Sequence, residues 1–189
     1  FQRQLKDFDA SLLTETIPDF HNTLKRYEAF LAAEAEAAPA RRQTAIREIE
    51  FVRQRFEEIA SIQAKSRMLP LRVTHNDTKL NNVMLDTVTR RPLCVIDLDT
   101  AMPGTAIHDF GDSIRFGAST AAEDETDLKK VMLDLTLFEA YSRGFLKGCA
   151  GTLTVQEREM LPEGALIMTL ECGIRFLTDY LQNDIYFKI

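Results

Sequence analysis

The sequence predicts a mainly α-helical fold interrupted near its middle by one small β-hairpin, and three observations predict it. Apolar residues recur at intervals of three or four over 24–31, 46–62, 128–146 and 166–181, the period of helices that bury one face. The stretch Val73-Thr74-His75-Asn76-Asp77-Thr78-Lys79-Leu80-Asn81-Asn82-Val83-Met84-Leu85-Asp86 runs instead from apolar to polar and back, and a further apolar run, Leu93-Cys94-Val95-Ile96, follows the polar, proline-ended segment Thr87–Pro92. With 45% hydrophobic and 28% charged residues over 189 positions, the chain has the composition of a globular domain able to bury one good core.

Taken in order, Phe1, Leu5 and Phe8 have helical spacing without a preceding cap, so a helix entered from an upstream segment is expected there. Asp19-Phe20-His21-Asn22-Thr23 opens the next helix, capped by Asn22 or Thr23, with Leu24, Tyr27, Phe30 and Leu31 on its apolar face. Glu34 to Arg42, alanine-rich and charged around Pro39, reads as an exposed helix end and connector. One long amphipathic helix is expected to carry Ile46, Ile49, Val52 or Arg53, Phe56, Ile59 and Ile62, with Arg47, Glu50, Arg53 and Glu57 on its solvated side. Beyond the hairpin, Leu128, Val131, Met132, Leu135, Phe138, Tyr141, Phe145 and Leu146 form a helical stripe expected in the core. Thr154 and Glu157 have capping-box spacing, and Pro162-Glu163-Gly164 starts a last helix that buries Leu166, Leu170, Ile174, Leu177 and Leu181. Glu171, Arg175 and Asp179 run beside that face as an ion-pair ladder or as a polar lining.

A net charge of −6 and a pI near 5.2, with no basic cluster, exclude nucleic acid and anionic membranes as natural partners. Cys94, Cys149 and Cys172 are odd in number and sit among apolar neighbours, so buried thiols rather than disulfides are expected. No apolar run reaches transmembrane length and no secretory signal pattern occurs, so a cytoplasmic location is expected.

The polar loop is where chemistry concentrates. Asp77 and Asn82 stand in the pattern Asp-x4-Asn between two strand-like runs, and the hairpin folds Asp97 back toward them. A carboxylate that accepts a hydroxyl proton, a neutral amide oxygen and a second carboxylate are the groups that phosphoryl transfer with Mg²⁺ requires. Asp77 suits the first role, Asn82 and Asp97 the metal ligands; Asn81 is the nearest rival of Asn82, and the Asp-x4-Asn spacing favours Asn82. Lys79 either reaches the transferred phosphoryl group or is a solvated lysine, and His75 is expected to shape the loop. Asp109-Phe110-Gly111 spells a protein-kinase magnesium motif but follows no strand-like run, so Asp109 is read as a helix cap or loop anchor. Asp112 and Arg115 share a helical face, where they pair with each other or contact substrate.

His75-Asn76-Asp77-x4-Asn82 followed by Val95-Ile96-Asp97-Leu98-Asp99-Thr100-Ala101-x-Pro103-Gly104 resembles the aminoglycoside phosphotransferase and choline kinase group of protein-kinase-like enzymes. The His-Asn-Asp-Thr-Lys variant of the loop, with Asp109-Phe110-Gly111-Asp112-Ser113-Ile114-Arg115, is most similar to the N-acetylhexosamine 1-kinase branch. The resemblance implies the carboxy-terminal lobe of that fold. Residues 1–72 would be helical, 73–100 would carry the catalytic loop and metal hairpin, and 101–189 would be a helical substrate-side subdomain. It implies ATP and Mg²⁺ as cofactors, bound by Asn82 and Asp97, and catalysis by Asp77 with Lys79 at the anomeric hydroxyl of an N-acetylhexosamine. Arg175 and Asp99 become candidates for sugar contact, beside Asp112, Arg115 and the His21-Asn22 pair, for which a cap and a surface histidine are the plainer roles. With eight glycines and none before Gly104, the chain holds no upstream phosphate-cradling loop, so the nucleotide lobe is expected to be absent and the chain alone to turn over little. The ending Asp184–Ile189 is apolar, and the resemblance implies that the full enzyme continues past it. An aminoglycoside- or choline-type kinase and a non-catalytic kinase-like binding lobe are the alternatives.

Overall fold

The computed structural model describes residues 1–123 and 125–187, so Lys188 and Ile189 of the apolar ending lie outside the described residues. It is mainly helical with two small antiparallel sheets, in two compact units: Phe1–Pro18 with Leu69–Ala165, and Asp19–Met68 with Leu166–Ile189.

In the first unit, strand β1 (Arg72–Thr74) pairs antiparallel with a strand that the sequence did not announce, and the polar loop leaves its end. A short hairpin follows, β2 (Val83–Leu85) against β3 (Pro92–Val95), Val83 opposite Val95 and Met84 opposite Cys94, with an irregular register at Met84/Leu85. Asp86 closes its turn by accepting from the Val88 and Thr89 amides, the local side-chain bonding for which aspartate is favoured in turns. The unannounced partner of β1 is β4 (Met102–Gly104). A Cβ at Gly104 would run into the Thr74 hydroxyl, so glycine is what lets these strands close.

Helix α5 (Ala106–Gly117) starts directly after β4 and packs on β1. Its Phe110 is 1% exposed and meets Phe138, Tyr141 and Phe145 at centroid distances of 6.3, 6.2 and 5.2 Å. Those three rings sit on helix α6, which runs from Leu135 to Cys149 behind an Asp134 cap. The helical stripe expected from Leu128 is thus shorter than its spacing suggested and only partly core. Leu128, Met132, Leu135 and Leu146 are exposed, because α5 is the helix that α6 packs on and covers one side of it.

The helical pair after α6 is where a buried ion pair ties the unit together. Short helix α7 (Val155–Glu159) opens on the expected Thr154/Glu157 capping box. Glu157 is fully buried and grips the Arg72 guanidinium, Nη2 standing 2.7 Å from Oε2, while Arg72 also donates to the Thr152 carbonyl. Helix α8 (Leu161–Leu181) begins here, with Gly164 seated so close on Ile107 that a Cβ would clash with its carbonyl. Phe1–Phe8, expected as helix, forms turns instead. Gln2 is their one buried side chain, held by bonds to Val73 and Asp109 rather than by an apolar helical face.

The second unit begins at helix α1 (Thr23–Glu36), capped by Asn22, whose side chain accepts from the Lys25 amide. Helix α2 (Pro39–Thr44) starts with Pro39 at its first position. The long amphipathic helix is divided into α3 (Ile46–Arg53) and α4 (Phe56–Ser66) by a break at Gln54–Arg55. Ile49, Val52, Ile59 and Ile62 are buried as their spacing indicated, while Ile46 and Phe56 are 42% and 40% exposed. Phe30, Ile174, Leu177 and Leu181 fill the same core, and Leu166 lies outside it.

Each member of the charged stripe of α8 has a partner off the helix. Buried Glu171 receives His21 Nδ1 at 2.9 Å and the Thr23 hydroxyl at 2.7 Å. Asp179 receives the amides of Tyr186 and Phe187, over whose rings Arg175 lies. All three cysteines are free, but Cys94 is exposed on the hairpin, against expectation: alternation along a strand with no layer over it leaves both faces open. No described helix is long and apolar enough to cross a membrane.

Burial opposes ionisation of Glu157, yet the Arg72 guanidinium and the Thr154 amide hold its carboxyl below the ordinary 4.5. Its contribution to stability is therefore fully present above pH 4.5 and is lost as the pH falls through the lowered folded-state value. Glu157→Gln leaves Arg72 without its counter-charge and is expected to cost about 3 kcal/mol at neutral pH. Urea denaturation at a series of pH values should show the gap between wild type and variant narrowing below pH 4.5.

Candidate functional site

The loop between β1 and β2 holds its shape because α5 satisfies its backbone. Asp109, in the first turn of α5 and 2% exposed, accepts the His75 amide at 3.0 Å, the Asn76 amide at 2.9 Å and the Gln2 side-chain amide at 2.8 Å. Burial pushes the Asp109 carboxyl up from its ordinary value, and those same donors pull it back toward the charged form. One helical turn on, Asp112 accepts the Thr78 amide at 2.8 Å, and Ser113 donates to the Thr78 carbonyl at 3.1 Å. The Thr78 hydroxyl returns a bond of 2.6 Å to the Asp109 carbonyl. Helical spacing puts positions 109, 112 and 113 on one face, so a single helix grips the loop at its entry and one turn further along.

Held in this way, Asn76 adopts a left-handed backbone (φ 64°), which asparagine tolerates better than most residues. The next side chain, Asp77, has both carboxylate oxygens engaged: Asn82 Nδ2 lies 3.0 Å from Oδ2 and Lys79 Nζ 3.4 Å from Oδ1. Asn82 is buried and uses Nδ2 for both of its bonds, to the Asp77 carboxylate and carbonyl, so its amide oxygen has no partner among the described residues. Asn81 is exposed and makes no such bond. The Asp-x4-Asn spacing thus corresponds to one connected group, Asp77, Lys79 and Asn82.

His75 joins this loop to the segment that carries Asp97. The Asp77 amide donates to His75 Nδ1 at 3.3 Å, which leaves the proton on Nε2, and Nε2 donates to the Ile96 carbonyl at 3.1 Å. The Thr100 hydroxyl donates to the His75 carbonyl, the Asn76 side chain to the Thr100 carbonyl, and the Ile96 amide to the Asn82 carbonyl. Asp97 follows in a left-handed conformation (φ 61°) that turns the chain sharply into a 3-10 turn at Leu98–Thr100. Its carboxylate is exposed and has no partner among the described residues, and the same is true of Asp99.

The family model of the phosphotransferase enzyme family, APH, matches residues 2–144, most of the chain and all of the loop and hairpin. The chain belongs to this family. Its members transfer phosphoryl groups to small molecules and generally use ATP with Mg²⁺. Against that family background, the site residues read from sequence fall into three groups. Asp77, Lys79 and Asn82 are joined by direct contacts, and His75 links them to the Asp97 segment. Asp109 is a loop anchor and not a cap, since Thr105 stands at the helix cap position and Asp109 lies inside α5. Asp112 and Arg115 pair with each other at 2.9 Å, and Arg115 also reaches Glu123, so both belong to the support of the loop. His21, Asn22 and Arg175 belong to the other unit, where His21 pairs with Glu171 and Asn22 is a helix cap.

Gln2, Thr78, Thr100 and Ser113 were not singled out from sequence. Ser113 carried a signal, four positions from Asp109 on the same face; Gln2 carried none, because its partners Val73 and Asp109 are remote in the chain. Asp109→Ala strands two backbone amides and the Gln2 side chain in a buried site and is expected to destabilise the fold by roughly 3 kcal/mol, read as a lower urea midpoint with unchanged slope. Asp99→Ala, at an exposed position without a partner, should leave that midpoint unmoved.

Proposed function

We propose that this chain carries the chemical half of an ATP-dependent small-molecule kinase, and that its acceptor is the anomeric hydroxyl of an N-acetylhexosamine. The observation that supports the reading best is the bonded group Asp77–Lys79–Asn82, tied through His75 to the Asp97 segment. Asp77 is the group that orients the acceptor hydroxyl and takes its proton. A hydroxyl approaching Oδ1 replaces the Lys79 contact, while Asn82 keeps Oδ2 and fixes the plane of the carboxylate. Lys79, released from Asp77, stays within reach as a positive charge for the transferred phosphoryl oxygens.

The donor set fits a hard divalent cation: the unpartnered amide oxygen of Asn82 and the exposed, unpartnered carboxylate of Asp97 are oxygen ligands of the kind that Mg²⁺ prefers. Among the described residues no three His, Cys, Asp or Glu side chains cluster as a metal cage, so the remaining ligands would be nucleotide phosphate oxygens and water. When bound there, the cation neutralises charge on the phosphates. The N-acetylhexosamine reading rests on the His75-to-Lys79 loop variant and the 109–115 motif; Asp99 is the candidate left free to meet the sugar, while Asp112 and Arg115 act on the loop.

In an enzyme preparation that phosphorylates N-acetylhexosamines, Asp77→Asn is expected to lower kcat by about 10³-fold with little change in nucleotide affinity. Turnover near wild type would remove Asp77 from the reaction. A labelled-phosphate screen over N-acetylhexosamines, aminoglycosides and choline identifies the acceptor, and transfer to either of the latter groups alone overturns the sugar assignment. Asp97→Ala should raise the Mg²⁺ concentration needed for half-maximal rate, and an unchanged Mg²⁺ dependence would count against Asp97 as a ligand.

A further inference from the structure

Thr78 stands between the two side chains assigned to the chemistry, in a stretch without regular secondary structure. Its polar groups are nevertheless all taken, and α5 takes them. The amide donates to Asp112 Oδ2 at 2.8 Å, the hydroxyl donates to the Asp109 carbonyl at 2.6 Å, and the carbonyl accepts the Ser113 hydroxyl at 3.1 Å.

These bonds fix two peptide planes. The Thr78 amide belongs to the peptide shared with Asp77, and the carbonyl of that same peptide accepts Asn82 Nδ2 at 2.9 Å, so the plane is held at both edges. The Thr78 carbonyl belongs to the next peptide, which leads into Lys79, and Ser113 holds that one. A residue has only two soft backbone dihedrals, so pinning the planes on either side of Thr78 fixes both of them. The Asp77 Cα lies in the first plane and the Lys79 Cα in the second. Their separation and the directions in which their side chains leave the backbone are thereby set, and the 3.4 Å contact between the two is one result.

The acceptor of the amide is itself braced. Asp112 is 5% exposed, and its Oδ1 takes Arg115 Nε at 3.2 Å and Nη2 at 2.9 Å, which leaves Oδ2 to Thr78; Arg115 is bonded in turn to Glu123. Any residue but proline supplies an amide and a carbonyl, whereas the tie to Asp109 needs a hydroxyl on Cβ, which Thr and Ser carry. Removing that hydroxyl strands no acceptor, because the Asp109 carbonyl keeps the Ser113 hydroxyl at 2.9 Å. The tie therefore acts on geometry more than on stability.

We propose that Thr78 is a positioning residue of the phosphoryl transfer, whose three bonds to α5 set the separation and direction of Asp77 and Lys79. The inference rests on the kinase reading of those two residues and deepens it. An acceptor hydroxyl meets a carboxylate that is already aimed, and a misplacement of about 1 Å is enough to slow such a step by orders of magnitude.

The test uses Thr78→Val, which keeps the shape and loses the hydroxyl, and Thr78→Ser, which restores it, in the enzyme preparation used for Asp77→Asn. Thr78→Val is expected to lower kcat by about tenfold or more, with a urea midpoint close to that of wild type. KM for acceptor and for nucleotide should stay within about twofold, because the tie aims the base and not the ligands. Thr78→Ser should recover most of the lost kcat; a loss of packing would not be repaired this way, since serine is smaller than valine. Wild-type kcat in Thr78→Val, a change in KM alone, or a Thr78→Ser protein as slow as Thr78→Val would each overturn the proposal. Asp77→Asn separates it from the kinase reading: if that variant is slow while Thr78→Val turns over normally, the positioning role falls and the reading stands, whereas normal turnover by both removes the reading as well. Should Thr78→Val fail to fold, Ser113→Ala, which releases the Thr78 carbonyl, takes its place. A lowered kcat with KM unmoved then supports the proposal, and an unchanged kcat overturns it.

Discussion

One buried carboxylate organises the first unit. A loop that places catalytic groups in register cannot use a regular hydrogen-bond ladder, so its amides need partners from elsewhere. Asp109 supplies them, accepting from His75 and Asn76 at the point where the chain leaves β1 and reverses. Because it stands in the first turn of α5, the helix's own unpaired amides and dipole favour its negative charge, which offsets part of the burial penalty. Without that anchor the left-handed turn at Asn76 has little to hold it, and the direction of the Asp77 side chain is no longer defined.

The same logic extends to the link between the two carboxylate-bearing segments. His75 accepts from one and donates to the other, and Thr100 and Asn76 exchange bonds across the same gap. Asp97 follows in a left-handed conformation, which aspartate visits more readily than most residues, with its carboxylate turned out to solvent. In the proposed reaction this matters more than raw affinity. Preorganised oxygen ligands and a fixed base carry phosphoryl transfer, because little covalent chemistry is left for the protein to do.

Polar burial also shapes the second unit. Glu171 lies at 2% exposure with His21 and Thr23 bonded to it, and Gln63 accepts the Thr23 amide beside them. Of the residues read from sequence as sugar contacts, His21 has its Nδ1 in this pair, and Asn22 begins α1. Both therefore have structural tasks that account for their presence.

Much of this was legible in the chain itself, because it depends on short-range pattern. The helical periods, the capping box at Thr154 and Glu157, the hairpin and the Asp77-x4-Asn82 loop are encoded within a few residues of one another, where chain geometry leaves few choices. Tertiary structure decided what involves distant partners: that β1 would pair with β4, that Gln2 and Ser113 would join the loop's support, and that the 109–111 motif would serve as an anchor. It also decided which apolar stripes are core. Periodicity marks a face able to be buried, but burial needs a neighbour to cover it, and along α6 the described packing covers Phe138 and Phe145 while Leu135 and Leu146 stay open to water.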